Sequence, residues 1–248
     1  MTPEDANRLF SRREVLRIGT AGILTLARFG CVSRRAFAQG AIVDTPALTE
    51  GPYFVDERLN RSDIRIDPTD GSVQPGLTLL LRIVVGGIEN GTFVPVSGAY
   101  VDVWHCNADG LYSDVQANNT VGRKFLRGYQ VTNERGEVRF HTIYPGWYRG
   151  RTVHIHVKVR LFTGSQRTYE FTSQFFFDDD LTDEVYQLAP YNTRGTPDTR
   201  NATDNIYQSG STTGGGQDSN GAQLLLRVSL GGNTRHGVAS YRIARAGL

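Results

Sequence analysis

Cysteine is scarce in this 248-residue chain, with only Cys31 and Cys106 present, and nowhere does an apolar run reach the roughly 18–20 residues that a membrane-spanning helix requires. A disulfide-stapled scaffold and a helical bilayer span are both excluded. Long 3.6-residue apolar periods and internal repeats are absent too, so coiled coils and repeat arrays drop out. What is present is ordinary for a soluble domain: 39% hydrophobic and 21% charged residues, enough to bury one sizeable core. Glycine, at 28 residues, is richer than the usual share of roughly 7%. Together with abundant Leu, Val, Ile, Phe and Tyr, it favours strands joined by many turns.

The formal charge of +2 misleads. Ser11-Arg12-Arg13-Glu14-Val15-Leu16-Arg17 resembles a twin-arginine export signal, followed by an apolar stretch from Ile18 to Ala27 and an Ala36-Phe37-Ala38 triplet of the small-x-small kind. The expected leader is residues 1–38, with Gln39 opening the mature chain. An amphipathic N-terminal helix is the alternative for residues 11–27. A lipoprotein site at Cys31 is disfavoured by Arg28, which stands where such sites want an aliphatic residue. Of the 27 basic and 25 acidic residues, the leader takes seven arginines and three acids, which leaves the mature chain near −2. A nucleic-acid partner loses its compositional support. Cys106 stays alone in the mature chain, so the fold must rest on its core, and the twin-arginine route, which carries folded proteins with cofactor often already inserted, favours a bound metal or other group.

Residues 77–85 and 99–105 are strand-like, and further strands are expected at 125–132, 137–143, 152–162, 169–177 and 223–230, with turn punctuation between them. The nearest thing to a helix is Asp180–Leu188. The Ser209–Gly221 stretch is a loop rather than a domain linker, because only a short segment follows it. The expectation is an all-β fold: one β-sandwich domain over residues 39–248 with long functional loops and little helix.

The densest chemistry lies in Pro145–Val159. In a strand His154 and His156 share a face, with Cα atoms roughly 6.5–7 Å apart, a separation that two imidazoles can bridge onto one metal. Val153, Ile155, Val157 and Val159 take the opposite, apolar face, and Lys158 and Arg160 continue the polar one. Alone, a His-x-His pair is a weak signal, since exposed or core-satisfied histidines are commoner than ligands. His105, His141 and His236 lack partners at ligand spacing. Asp178-Asp179-Asp180 cannot converge on one calcium and precedes a helix start, where acids are favoured.

Around the histidine pair stand Tyr148, in a Gly/Pro-rich turn, and Tyr112, beyond the strand that ends at His105. With Thr49-Glu-Gly-Pro-Tyr53, Arg127-Gly-Tyr-Gln-Val-Thr132 and Thr172-Ser-Gln-Phe175, the chain resembles the intradiol ring-cleavage dioxygenases, the catechol and protocatechuate enzyme superfamily, and more closely its short exported branch. The resemblance covers most of the mature chain. It implies a non-haem Fe(III) ion held by Tyr112, Tyr148, His154 and His156. It also implies a substrate-facing Arg151, a polar Gln174 near the same pocket, and Tyr53 at the substrate entrance. The chemistry is consistent: Fe(III) prefers anionic oxygen, two phenolates with a hydroxide cancel its charge, and zinc would more usually take Cys, His and carboxylate. The activity implied is cleavage of a catechol-type ring between its hydroxylated carbons, with both atoms of O2 entering a muconate-type product. The alternative is a non-catalytic β-sandwich, a carbohydrate- or surface-binding module on the same scaffold. The Tyr148–His154 spacing is shorter than in the better-known members, and residues 39–76 carry no helical segment of the sort that dimerises the catechol enzymes. Any homodimer must use another surface.

Overall fold

Period-two alternation builds two sheets in the computed structural model, which describes residues 42–210, 219–231 and 236–248. The expected leader and the middle of the Ser209–Gly221 stretch lie outside the described residues. Nine strands occur among the described residues: β1 (Thr78–Glu89), β2 (Thr92–Pro95), β3 (Tyr100–Trp104), β4 (Arg127–Val131), β5 (Glu137–Ile143), β6 (His154–Thr163), β7 (Gln166–Phe176), β8 (Arg227–Leu230) and β9 (His236–Arg245). Two short helices, α1 (Asp179–Val185) and α2 (Asn220–Gln223), complete the regular structure. One sheet runs β4-β3-β6-β7. The other runs β2-β1-β9-β8, with β5 also on β1. The twelve residues of β1 allow this: Thr78–Val84 pair with β5 and Gly86–Glu89 with β2, while β9 runs parallel to β1.

The core lies between the sheets. Leu79, Leu81, Ile83 and Val85 of β1 face Val101 and Val103 of β3 and Ile155, Val157 and Val159 of β6, all of them buried. Each such side chain contributes about 1.5–3 kcal/mol on burial. Phe175 of β7 meets Tyr241 of β9 with ring centroids 4.6 Å apart, joining the two layers. The sandwich expected from the sequence is the fold observed.

Four local details differ from expectation or extend it. The segment expected as a strand at 223–230 becomes strand only at Arg227. Ser219 caps α2 by accepting from Ala222 N, and Leu224 and Leu226 are buried without strand pairing of that length. β2 is a short hairpin arm closed by Asn90-Gly91, both at positive φ (49° and 75°), the conformation of a two-residue turn that matches strand twist. β9, which the sequence did not announce, is diluted by Gly237, Ala239 and Ser240 and is recruited by its parallel pairing with β1. His236 therefore opens a strand rather than sitting in a turn. Asp178 caps α1 through Asp180 N and Leu181 N, which accounts for the acidic run.

Residues 45–59 form a strap across the outer face of the β4-β3-β6-β7 sheet. Thr45 N donates to Ala244 O (2.7 Å) and Leu48 N to Thr172 O (3.0 Å) at one end, and Leu59 O accepts from Tyr129 N (2.8 Å) at the other. The strap makes that outer face an interior.

Candidate active site

β6 presents alternate residues to two environments. Ile155 and Val157 enter the core, while His154 and His156 point outward, with His156 opposite Trp104 on one neighbour and Gln174 on the other. Covered by the strap and loops, the two imidazoles are only 2% and 1% exposed. His154 Nδ1–H donates to Thr152 O (2.6 Å), so the Nε2 lone pair faces the site. The His156 ring stacks on Trp104 (4.8 Å, 8° between planes), and its Nε2 lies 3.2 Å from that of His154.

Two loops carry the tyrosines to the same point. Tyr112 Oη is 3.4 Å and Tyr148 Oη 3.1 Å from His154 Nε2. Asn118 Oδ1 accepts from Tyr112 N (3.0 Å), and Thr120 Oγ1 donates to Tyr112 O (2.6 Å), fixing the first loop. The loops meet at glycines for a steric reason. A Cβ at Gly110 (φ +76°) would stand 2.1 Å from Trp147 O, and one at Gly146 would stand 2.3 Å from Ala108 O. Any side chain there would push Tyr112 and Tyr148 apart.

Burial dominates the electrostatics. It pushes the His154 imidazole down to about 3 and that of His156 well below its usual range, so both are neutral bases at pH 7. It pushes the Tyr148 phenol up to about 12 and that of Tyr112 well above its ordinary value. Two neutral nitrogen donors and two phenols thus converge where there is little water and nothing but one another to bond. His156 Nδ1 has no hydrogen-bond partner. This donor set fits a hard, highly charged cation, which would lower the phenol pKa values and take both nitrogen lone pairs. Among the described residues no cluster of three or more His, Cys, Asp or Glu side chains offers a competing metal site.

Arg151 and Gln174 stand together beside the histidines, with Gln174 fully buried. Arg151 Nη2 donates to Gln174 Oε1 (2.6 Å), and Gln174 Nε2 donates to Thr49 O of the strap (2.8 Å). Arg151 is also held by Asp204, a residue that sequence reasoning missed. Asp204 Oδ2 accepts from Arg151 Nε and from Thr152 N, each at 2.8 Å, and Oδ1 accepts from Ile206 N and Tyr207 N. Burial alone would raise this carboxyl, yet Arg151 and the amide donors hold it below its ordinary range. It sits 53 residues from Arg151 in no motif, so only the fold reveals the pair.

The strap closes the site from above. Tyr53 brings its ring 4.6 Å from that of Tyr112 and 6.3 Å from that of Tyr148. Gly51, at φ +69°, lies against His156, where a Cβ would reach 3.4 Å from Cε1. Lys158 and Arg160, expected as a continuing polar face, are buried beneath the strap and anchor it. Lys158 pairs with Glu50 and places Nζ 3.9 Å from the Phe54 ring centroid. Arg160 pairs with Asp56 (2.9 Å) and takes both oxygens of Asp102 (2.8 and 3.0 Å). The other histidines stay apart: His105 is buried between Cys106 O and Thr142 Oγ1, while His141 and His236 are exposed.

The family model described as Dioxygenase matches residues 49–205. This chain belongs to the intradiol ring-cleavage dioxygenases. The matched span holds the strap from Thr49, both tyrosine loops, the β6 histidines, Arg151, Gln174 and Asp204. Over 164 residues the chain is 30% identical to chlorocatechol 1,2-dioxygenase of Pseudomonas putida, covering 58% of this chain and 59% of that enzyme. It is 25% identical over 166 residues to catechol 1,2-dioxygenase 1 of Acinetobacter lwoffii, covering 49% of that enzyme. The chain thus spans less than two thirds of either relative. An intradiol ring-cleavage dioxygenase from the mite Tetranychus urticae superposes with a TM-score of 0.68 at 26% identity, over 84% of this chain and 96% of that one.

Proposed function

We propose that this dioxygenase uses a non-haem Fe(III) ion to cleave a catechol-type ring between its two hydroxylated carbons, incorporating both atoms of O2 into a muconate-type diacid. The observation that carries this reading is the convergence of Tyr112 Oη, Tyr148 Oη, His154 Nε2 and His156 Nε2 within 3.1–3.4 Å of their neighbours in a buried site. Tyr112, Tyr148, His154 and His156 would hold the ion. Bound there, the ion would supply a Lewis-acid centre that the two hydroxyls of a diol can chelate, which is the chemistry that makes the ring reactive toward dioxygen.

The chain's own groups do the rest. Tyr148 is the less buried of the two phenols and sits on the rim loop, so, held as a phenolate by the ion, its Oη would be the group placed to take a proton from an entering catechol hydroxyl. Arg151, 16% exposed at the side chain and fixed by Asp204, places a permanent positive charge where negative charge gathers on the ring. Gln174 ties that charge to the strap. Tyr53 walls the entrance and excludes water together with Tyr112. The decisive experiment is iron analysis of the purified protein with oxygen uptake on a panel of catechols. Phenolate-to-iron colour with uptake of one O2 per ring supports the assignment. A colourless protein carrying stoichiometric zinc overturns it.

We further propose that residues 1–38 direct export by the twin-arginine route. Arg12-Arg13, the apolar stretch and Ala36-Phe37-Ala38 support this. N-terminal sequencing of the exported protein should begin at Gln39, and an uncleaved chain retained in the cytoplasm would sink the idea.

A further inference from the structure

A second concave surface lies on the other side of the sandwich, on the outer face of the sheet containing β1, β9 and β8. Arg82 of β1 and Arg227 of β8 both stand opposite Ser240 of β9, one on each side. Two strand spacings put their backbones roughly 10 Å apart. Arg242 follows two residues along β9, about 7 Å further on. Arg135, in the turn between β4 and β5, adds a fourth cation to a groove of about 830 Å³, walled by Phe93 and Pro95 on one side and by Gln223 and Leu225 on the other. Among the described residues its lining contains four arginines and no carboxylate. Glu137, close by on β5, is engaged by Arg82 and Arg139. Arg135, Arg227 and Arg242 are exposed and join no ion pair among the described residues. A chain near −2 in its mature form thus concentrates unpaired positive charge in one groove.

We propose that this groove binds a carboxylated polysaccharide, a linear chain of acidic sugars. The arginines do not converge on one point, as they would for a small anion, but are spaced across three strands and a turn. That spacing suits anions repeated along a polymer. Guanidinium forks match carboxylates in bidentate geometry and stay charged at any working pH. Between them, the Ser240 hydroxyl and the Gln223 amide offer partners for sugar hydroxyls. A nucleic acid fits less well, because single strands seek free aromatic faces. Here the Phe93 face is covered by Arg242, 5.0 Å from its centroid, and the Tyr241 ring packs on Phe175. A membrane surface fits less well again, because the charges line a hollow rather than a protrusion. Catalysis would be undisturbed by such a ligand, since the candidate active site occupies the outer face of the opposite sheet.

The probe is polygalacturonate, tested by affinity electrophoresis and calorimetry against the whole protein in low and physiological salt. The variant is the triple substitution Arg135→Gln, Arg227→Gln, Arg242→Gln, all at exposed positions. The wild type should be retarded by polygalacturonate and not by neutral amylose. The variant should bind it at least about tenfold more weakly and with a shallower salt dependence, while oxygen uptake on a small catechol is unchanged. Failure of the wild type to bind polygalacturonate in low salt overturns the proposal, as does undiminished binding by the variant. Equal or tighter binding of duplex or single-stranded DNA overturns the assignment to acidic sugars.

Discussion

Asp204 Oδ2 lies 2.8 Å from Arg151 Nε and 2.8 Å from Thr152 N. One buried oxygen therefore fixes the guanidinium and also the residue whose carbonyl sets the His154 tautomer. Charge-assisted bonds of this kind are about twice as strong as neutral ones. The placement of the cation is thus built into the same carboxylate that steadies the first histidine.

Replacing Arg151 by Ala should lower turnover about a hundred- to a thousandfold, roughly 2.7–4 kcal/mol of transition-state energy on the scale of an oxyanion donor. Asp204→Asn keeps the cation and loosens its aim, so a smaller fall in kcat is expected. Both variants should keep their iron and colour, because neither residue belongs to the donor set. Steady-state oxygen uptake together with iron assay checks this, and wild-type turnover in Arg151→Ala would return that residue to a purely structural role.

The four donors should separate by position. Tyr148→Phe, at the rim, should retain the fold and some iron but bind a catechol with strongly slowed deprotonation, visible in stopped-flow absorbance. His154→Ala and His156→Ala remove buried nitrogen donors and should lose the metal outright. Retention of stoichiometric iron by either histidine variant would contradict the assigned donor set.

His105 supplies a pH dependence of stability. Burial pushes its imidazole down to about 4 from a usual value near 6.5, while the unfolded chain titrates normally. Between those values the unfolded state binds the extra proton. Stability from this group is therefore complete above about pH 6.5 and is lost as pH falls toward 4, by up to about 3 kcal/mol. Urea denaturation at pH 7.5 and pH 4.5 should show a smaller difference in His105→Gln than in the wild type. Identical differences would mean that His105 is not the group responsible.

Arg160 bears on both stability and the strap. Arg160→Ala would leave the Asp102 carboxylate buried without its fork and Asp56 without its anchor. A loss of about 3–5 kcal/mol is expected, measurable by denaturant titration, with a raised KM for catechols as the strap loosens over Tyr53. A variant as stable as the wild type would show that water replaces the guanidinium at no cost.

Much of this architecture is legible in the chain because it depends on local periodicity. The strand run in β6 already sets His154 and His156 on one face and the valines on the other, and the Asp178 cap announces α1. Tyr112, Tyr148, Arg151 and Gln174 were legible only as a pattern resembling a family, since nothing in their spacing says that the two loops meet. Asp204 was invisible, because its partners are reached through a fold rather than a motif. Lys158 and Arg160 read as a solvent face because sequence alone does not show a strap lying over them. β9 escaped notice for a related reason: small residues weaken its intrinsic signal, and a long parallel pairing with β1 supplies what propensity does not.

The strap has a consequence for the order of assembly. Thr45 bonds to Ala244 across 199 residues, and Asp56 meets Arg160 across 104. The Thr45 end of the strap can therefore be fastened only when the last strand has been made. The β4-β3-β6-β7 sheet, complete at Phe176, needs no part of β9 and already offers the strap its anchors at Thr172, Lys158 and Arg160, each reached at a loop-closure cost. The roof over the four donors is thus fastened by the sheet beneath it, and a chain shortened by a few residues at its far end would release only the Thr45 end of the strap.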